Sequence, residues 1–89
     1  MTRATLANLV QTRIEHVKTS AGVVVVSSKP FQDIAPLMDL DQADQASHLL
    51  AVCVDDPPMT VEQARQLPPD ITMQLVGACM KVNGLDQPD

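Results

Sequence analysis

The chain has 89 residues and a mass of 9.6 kDa, 45% hydrophobic and 19% charged, which is room for one small domain and no second independent core. Aromatics amount to 1%, all of it Phe31, and the formal charge is −5 with a pI near 4.6. Together these argue against base-stacking platforms, aromatic cages and phosphate-backbone binders, so nucleic acid is not an expected partner. The charge is unevenly placed. Residues 1–30 carry Arg3, Arg13, Lys18 and Lys29 against Glu15, a balance of +3, whereas the remainder carries −8 with only Arg65 and Lys81 as cations. A basic N-terminal arm could therefore dock on an acidic body, its own or a neighbour's. A domain this small buries only about two-thirds of its unfolded surface, so a homo-oligomer is also open.

In chain order, Leu6, Leu9, Val10, Ile14 and Val17 recur at spacings of three and four and predict a helix from about Arg3 to Lys18, with Thr2 as its cap. This helix fills an N-terminal segment, 1–20, that can serve as an arm. Gly22 ends the pattern, and Val23, Val24, Val25 and Val26 predict a short strand or hairpin near residues 22–28, because β-branched side chains favour extended backbone. The run does not alternate with polar residues, so it must be covered on both faces or pair with another copy. That makes Val23–Val26 a candidate assembly edge.

Pro30, Phe31, Ile34, Leu37 and Met38 suit a helix that Pro36 must kink or split into two pieces. Asp41 is placed to cap the next helix, whose buried stripe is Ala43, Ala46, Leu50, Cys53 and Val54. Asp55, Asp56, Pro57 and Pro58 read as a loop. Thr60 and Gln63 have capping-box spacing and open a short helix carrying Val61, Ala64 and Leu67 inward. The last helix runs from about Pro69 to Asn83, burying Ile71, Leu75, Ala78, Cys79 and Val82, with Gly84 as a left-handed cap and Leu85 folding back. Gly77 costs about 1 kcal/mol against Ala within that helix and suggests close approach by another backbone. The expected architecture is mainly α: one helical domain over 1–85, of about four helices with the single short β element, and a mobile tail at 86–89.

No reaction chemistry is legible. Cys53, Cys79, His16 and His48 lack metal-ligand pairings, and the two cysteines read as buried free thiols on apolar stripes. Asp55 and Asp56 have no expected pocket, and Asp39, Asp41 and Asp44 lack the glycine and terminal glutamate of a calcium loop. With three glycines there is no phosphate loop, and Ser27, Ser28 and Ser47 lack a nucleophile-elbow setting. Neither enzyme activity nor a cofactor is expected. No apolar stretch reaches the length of a membrane span and no signal-peptide pattern opens the chain, so it reads as soluble and intracellular. Among the five methionines, Met73 and Met80 share one flank of the last helix with Val76 between them. Thioethers suit adaptable surfaces, which makes Met73, Val76 and Met80 a candidate partner surface as well as candidate core filling.

Over residues 49–85 the sequence LLAVCVDDPPMTVEQARQLPPDITMQLVGACMKVNGL resembles the C-terminal half of the small tail assembly chaperones of long-tailed bacteriophages. The order of features carries the likeness: a helix ending in a Cys-Val segment, the acidic loop at Asp55 and Asp56, a short helix from a Thr60 cap, and a final helix closing on Asn83, Gly84 and Leu85. Upstream, the valine-rich strand and the entry at Pro30 are similar too, while Pro57 and Pro58 stand where many relatives have a glycine turn. The resemblance implies a non-enzymatic factor of the host cell cytoplasm that binds the tail tape measure protein, and as a further client tail tube subunits. It would keep them soluble until the tube polymerises. A rival reading is a structural virion component, a connector or baseplate subunit, that extends a neighbour's sheet with Val23–Val26. A host-targeting regulator is a third, unsupported by any DNA-reading helix.

Overall fold

A computed structural model describes residues 3–85. The segment expected to be one long helix divides. Only Leu6–Leu9 is helical (α1), capped by Thr5, whose side-chain oxygen accepts from the Asn8 amide. Ile14–Thr19 is instead a strand (β1), paired antiparallel with Gly22–Ser27 (β2) from Ile14↔Ser27 to Thr19↔Gly22. Ile14, Val17 and Thr19 are β-branched, and the three-residue spacing of Ile14 and Val17 puts them on opposite faces of a strand. Val17 is accordingly buried, while Ile14 is 62% exposed. The reversal is built locally: Thr19 Oγ1 donates to the Gly22 carbonyl at 2.7 Å and accepts from the Ala21 amide at 3.1 Å, and Gly22 takes a φ of +129°.

The valine run thus finds its partner within the chain. A third strand, Val54–Asp56 (β3), pairs with the other side of β2 through Val26↔Val54 and Val25↔Asp56, with an irregularity between them. Asp55 and Asp56, expected in a loop, therefore lie in a strand that ends at the cis Asp56–Pro57 peptide. The sheet order is β1-β2-β3, so the chain has an α/β fold with five α-helices and a three-stranded antiparallel sheet among the described residues. The expectation of a mainly helical domain with about four helices is overturned. Its physical error was to count the apolar residues of 14–19 into a helix when a partner strand three residues downstream could pair with them.

The helices after β2 lie closer to the sequence reading. Phe31–Ile34 (α2) passes into a 3-10 turn over Ala35–Asp39, the split that Pro36 requires. Gln42–Cys53 (α3) has Asp41 at its N-cap position, although the Asp41 carboxylate makes no capping hydrogen bond. Val61–Arg65 (α4) opens with the complete capping box: the Gln63 amide donates to Thr60 Oγ1 at 3.2 Å, and the Thr60 amide to Gln63 Oε1 at 2.9 Å. Pro69–Val82 (α5) ends in a Schellman motif, in which the Gly84 amide bonds the Lys81 carbonyl and the Leu85 amide the Met80 carbonyl, with Gly84 at φ +72°. A Cβ built on Gly77 meets nothing within 4 Å, so the close backbone approach expected there does not occur. The expected cap Thr2 and tail 86–89 lie outside the described residues.

α5 crosses the inner face of β1 and β2, and α3 packs beside it. The core between them is Val17, Val26, Ile34, Leu49, Leu50, Cys53, Val54, Ala64, Leu75, Cys79 and Val82. Of the stripe expected on α3, Leu50 and Cys53 are buried whereas Ala43 is exposed, and Leu49 and Ser47 are buried instead.

Candidate functional site

An apolar groove of about 390 Å³ opens where the α2 and 3-10 segment, α3 and the end of α5 meet. Ile34, Leu37 and Met38 form one wall, Ala46 and Leu49 the base, and Val76, Met80 and Leu85 the opposite wall. Each wall follows from helical spacing: Ile34, Leu37 and Met38 are three and four apart, as are Ala46 and Leu49, and Val76 and Met80. Ile34 and Leu49 belong to the core, whereas Met38 and Leu85 stand exposed at the rim. The polar groups present are the amides of Gln42 and Gln45, and Gln45 Nε2 donates to the Met38 carbonyl at 3.1 Å, bracing that wall against the base. No ionisable side chain lines the groove. It is therefore suited to apolar side chains rather than to proton transfer or ion binding.

The expected partner surface is only partly assembled here. Val76 and Met80 line the groove, while Met73, a further two turns along α5 from Met80, is 76% exposed and outside it. None of Val23–Val26 lines it either. Val24 and Val26 lie on the inner face with their partners Val17 and Glu15, and Val26 is fully buried; Val23 and Val25 lie on the outer face, where Val23 is 56% exposed. β2 is the central strand, so the edge strands of the sheet are β1 and β3, and β3 covers the valine run only at Val25 and Val26. The other groove residues were missed as a site because their signals, the Ile34-Leu37-Met38 triplet and the Ala46-Leu49 pair, sit on helical segments separate from α5.

Polar clusters elsewhere serve the fold. Ser27, almost fully buried, donates to Asp55 Oδ2 at 2.5 Å, and Lys29 Nζ reaches Asp55 Oδ1 at 3.0 Å. The Ser27 hydroxyl first, and Lys29 second, hold the Asp55 carboxyl below its ordinary value of 3.8 against the opposing effect of burial. Asn83 ties three segments: its Oδ1 accepts from the Lys29 amide at 2.9 Å, and its Nδ2 donates to the Cys79 carbonyl at 2.7 Å and to Cys53 Sγ at 3.3 Å. Cys53 and Cys79 are free, fully buried thiols. Cys79 donates to Cys53 and so keeps its own proton, its pKa pushed up by that bond and by burial; Cys53, accepting from Cys79 and Asn83, is lowered to about 7. Asp44 pairs with Arg65 at 3.1 Å, its carbonyl meets His48 Nδ1 at 2.7 Å, and Ser47 bonds within its own helix. Among the described residues no three His, Cys, Asp or Glu side chains are grouped to hold a metal ion, and no helix is long and apolar enough to cross a membrane.

No family model, curated protein sequence or solved structure matches the chain.

Proposed function

We propose that this chain is a non-enzymatic tail assembly chaperone of a long-tailed bacteriophage, which binds the tail tape measure protein, and as a second client tail tube subunits, in the host cell cytoplasm. The observation that supports this reading is the groove of Val76, Met80, Ile34, Leu37, Met38, Leu49 and Leu85, apolar throughout its base and free of ionisable lining groups. A long helical client exposes apolar side chains at i, i+3, i+4 and i+7, and a groove walled by helices accepts such a stripe. The net charge of −5 keeps the coated client soluble. Many copies along one client add avidity, so each contact can be weak enough to release during polymerisation.

The test is co-expression with the tape measure protein of the same genome, followed by affinity capture and size-exclusion chromatography. A soluble complex, with the tape measure protein precipitating when expressed alone, is the expected result. Met80→Asp places a charge in the groove wall and should reduce capture about tenfold or more, whereas Met73→Asp, outside the groove, should leave it within a few-fold. A tape measure protein indifferent to the chain sinks the proposal. A second reading, a structural virion subunit, is favoured by the place of β1 as an edge strand of the sheet. Persistence of the chain in purified virions, read by mass spectrometry, separates it from a chaperone that leaves before completion.

A further inference from the structure

Among the described residues the α1 arm buries none of its side chains. It is a single helical turn, and Leu6, Leu9 and Val10 are 76%, 71% and 70% exposed. These three residues have the i, i+3, i+4 spacing of one apolar face. Isolated helices shorter than about 12 residues are marginal in water, so such a turn is sustained only when a second surface covers that face. Within the chain, Leu9 and Val10 border a cleft with Pro30, Phe31 and Val82, but they do not enter the groove of Val76 and Met80, whose lining contains no residue of the arm.

Charge distinguishes what fits that groove. Residues 3–13 contain Arg3 and Arg13 and no carboxylate. The segment forming one wall of the groove contains Asp33, Asp39 and Asp41, all exposed and with no Lys or Arg between Phe31 and Asp41. Asp39 and Asp41 lie in the chain between the lining residues Met38 and Gln42, on the rim. Asp44, the next carboxylate, is already paired with Arg65.

We propose that the groove receives the α1 arm of a second copy of this chain, Leu6, Leu9 and Val10 entering between Met38 and Met80 while Arg3 meets the carboxylates at the rim. Each copy has one arm and one groove, and in the proposed dimer the two are exchanged reciprocally about a two-fold axis. It does not rest on the identity of any client. If a client helix uses the same groove, it displaces the arm, and self-association falls as client binding rises.

The experiment uses the full chain alone: sedimentation equilibrium over a range of concentration, with no client present. The expected result is a mass rising toward two chains, and a tighter association at low salt than at high, because exposed charges are screened over about 8 Å at physiological ionic strength. The double variant Leu6→Asp, Leu9→Asp should remain one chain at every concentration. Its thermal melt should stay close to that of the unaltered one-chain species, since no side chain of the arm is buried in its own fold. Arg3→Glu should weaken association several-fold. Leu9→Cys mixed with Met38→Cys should give a disulfide-linked pair on mild oxidation. The proposal is overturned by a one-chain mass for the unaltered protein throughout, by a dimer that survives Leu6→Asp, Leu9→Asp, or by a dimer in which Leu9→Cys and Met38→Cys do not cross-link.

Discussion

Asp55 follows Val54 in the short strand β3, and its carboxylate holds Ser27 and Lys29 to the end of α3. Its pKa is lowered in the folded chain, so the charged form is favoured by folding. The sign is that of a depressed carboxylate: the contribution is present above the unfolded value near 3.8 and disappears as pH falls below it through the folded pKa. Between pH 5 and pH 2 the melting temperature should therefore fall further for the unaltered protein than for Asp55→Asn, a comparison that circular dichroism makes directly. Gly77 offers the opposite case. It lies exposed within α5 with open space where a Cβ would stand, so Gly77→Ala should stabilise the fold by up to about 1 kcal/mol, read as a higher urea midpoint. At this scale Thr60, Gln63 and Gly84 were legible in the sequence, because a cap is a relation among residues three to six apart. Asn83 was legible only as part of the helix ending; its bonds to Lys29 and Cys53 cross 54 and 30 positions of the chain.

The elements differ in how far their own residues determine them. α4 and α5 begin and end on local signals: the capping box at Thr60, the prolines at 68 and 69, and the Schellman turn at Gly84. Thr60→Ala removes the acceptor for the Gln63 amide and should cost about 1 kcal/mol, measurable as a lowered urea midpoint with an unchanged slope. β1 is different. Its six residues contain apolar positions that satisfy a helical spacing with Leu6, Leu9 and Val10, and what makes them a strand is pairing with β2 and cover from α5. β3 is more dependent still, since three residues running straight out of α3 form a strand only because Val25 and Val26 present an open side to them.

At the scale of the molecule, the sheet gives the two long helices a surface to pack on, and the core depends on a few fully buried side chains between them. Leu50 and Leu75 are the largest of these, and Leu50→Ala or Leu75→Ala should each cost about 2–5 kcal/mol. A domain this small has little stability to spare, so either variant should be largely unfolded in a thermal scan at physiological temperature. The groove belongs to this scale too. Val76 and Met80 were identifiable as one flank of α5, but their opposite wall, Ile34, Leu37 and Met38, lies about 40 positions earlier in the chain and is brought across by the packing of α3.

By itself the sequence determined the uneven charge, basic over residues 1–30 and acidic after them, the positions of α3, α4 and α5 and the local caps at Thr60 and Gly84, because these depend on composition or on residues within a turn or two of each other. Only the tertiary structure decided that 14–19 is a strand, that the valine run lies in the central strand of a sheet, and that Met80 faces a groove while Met73 faces solvent. Strand pairing and groove walls join segments far apart in the chain, and their free energy comes from burial and hydrogen bonds that no local pattern specifies.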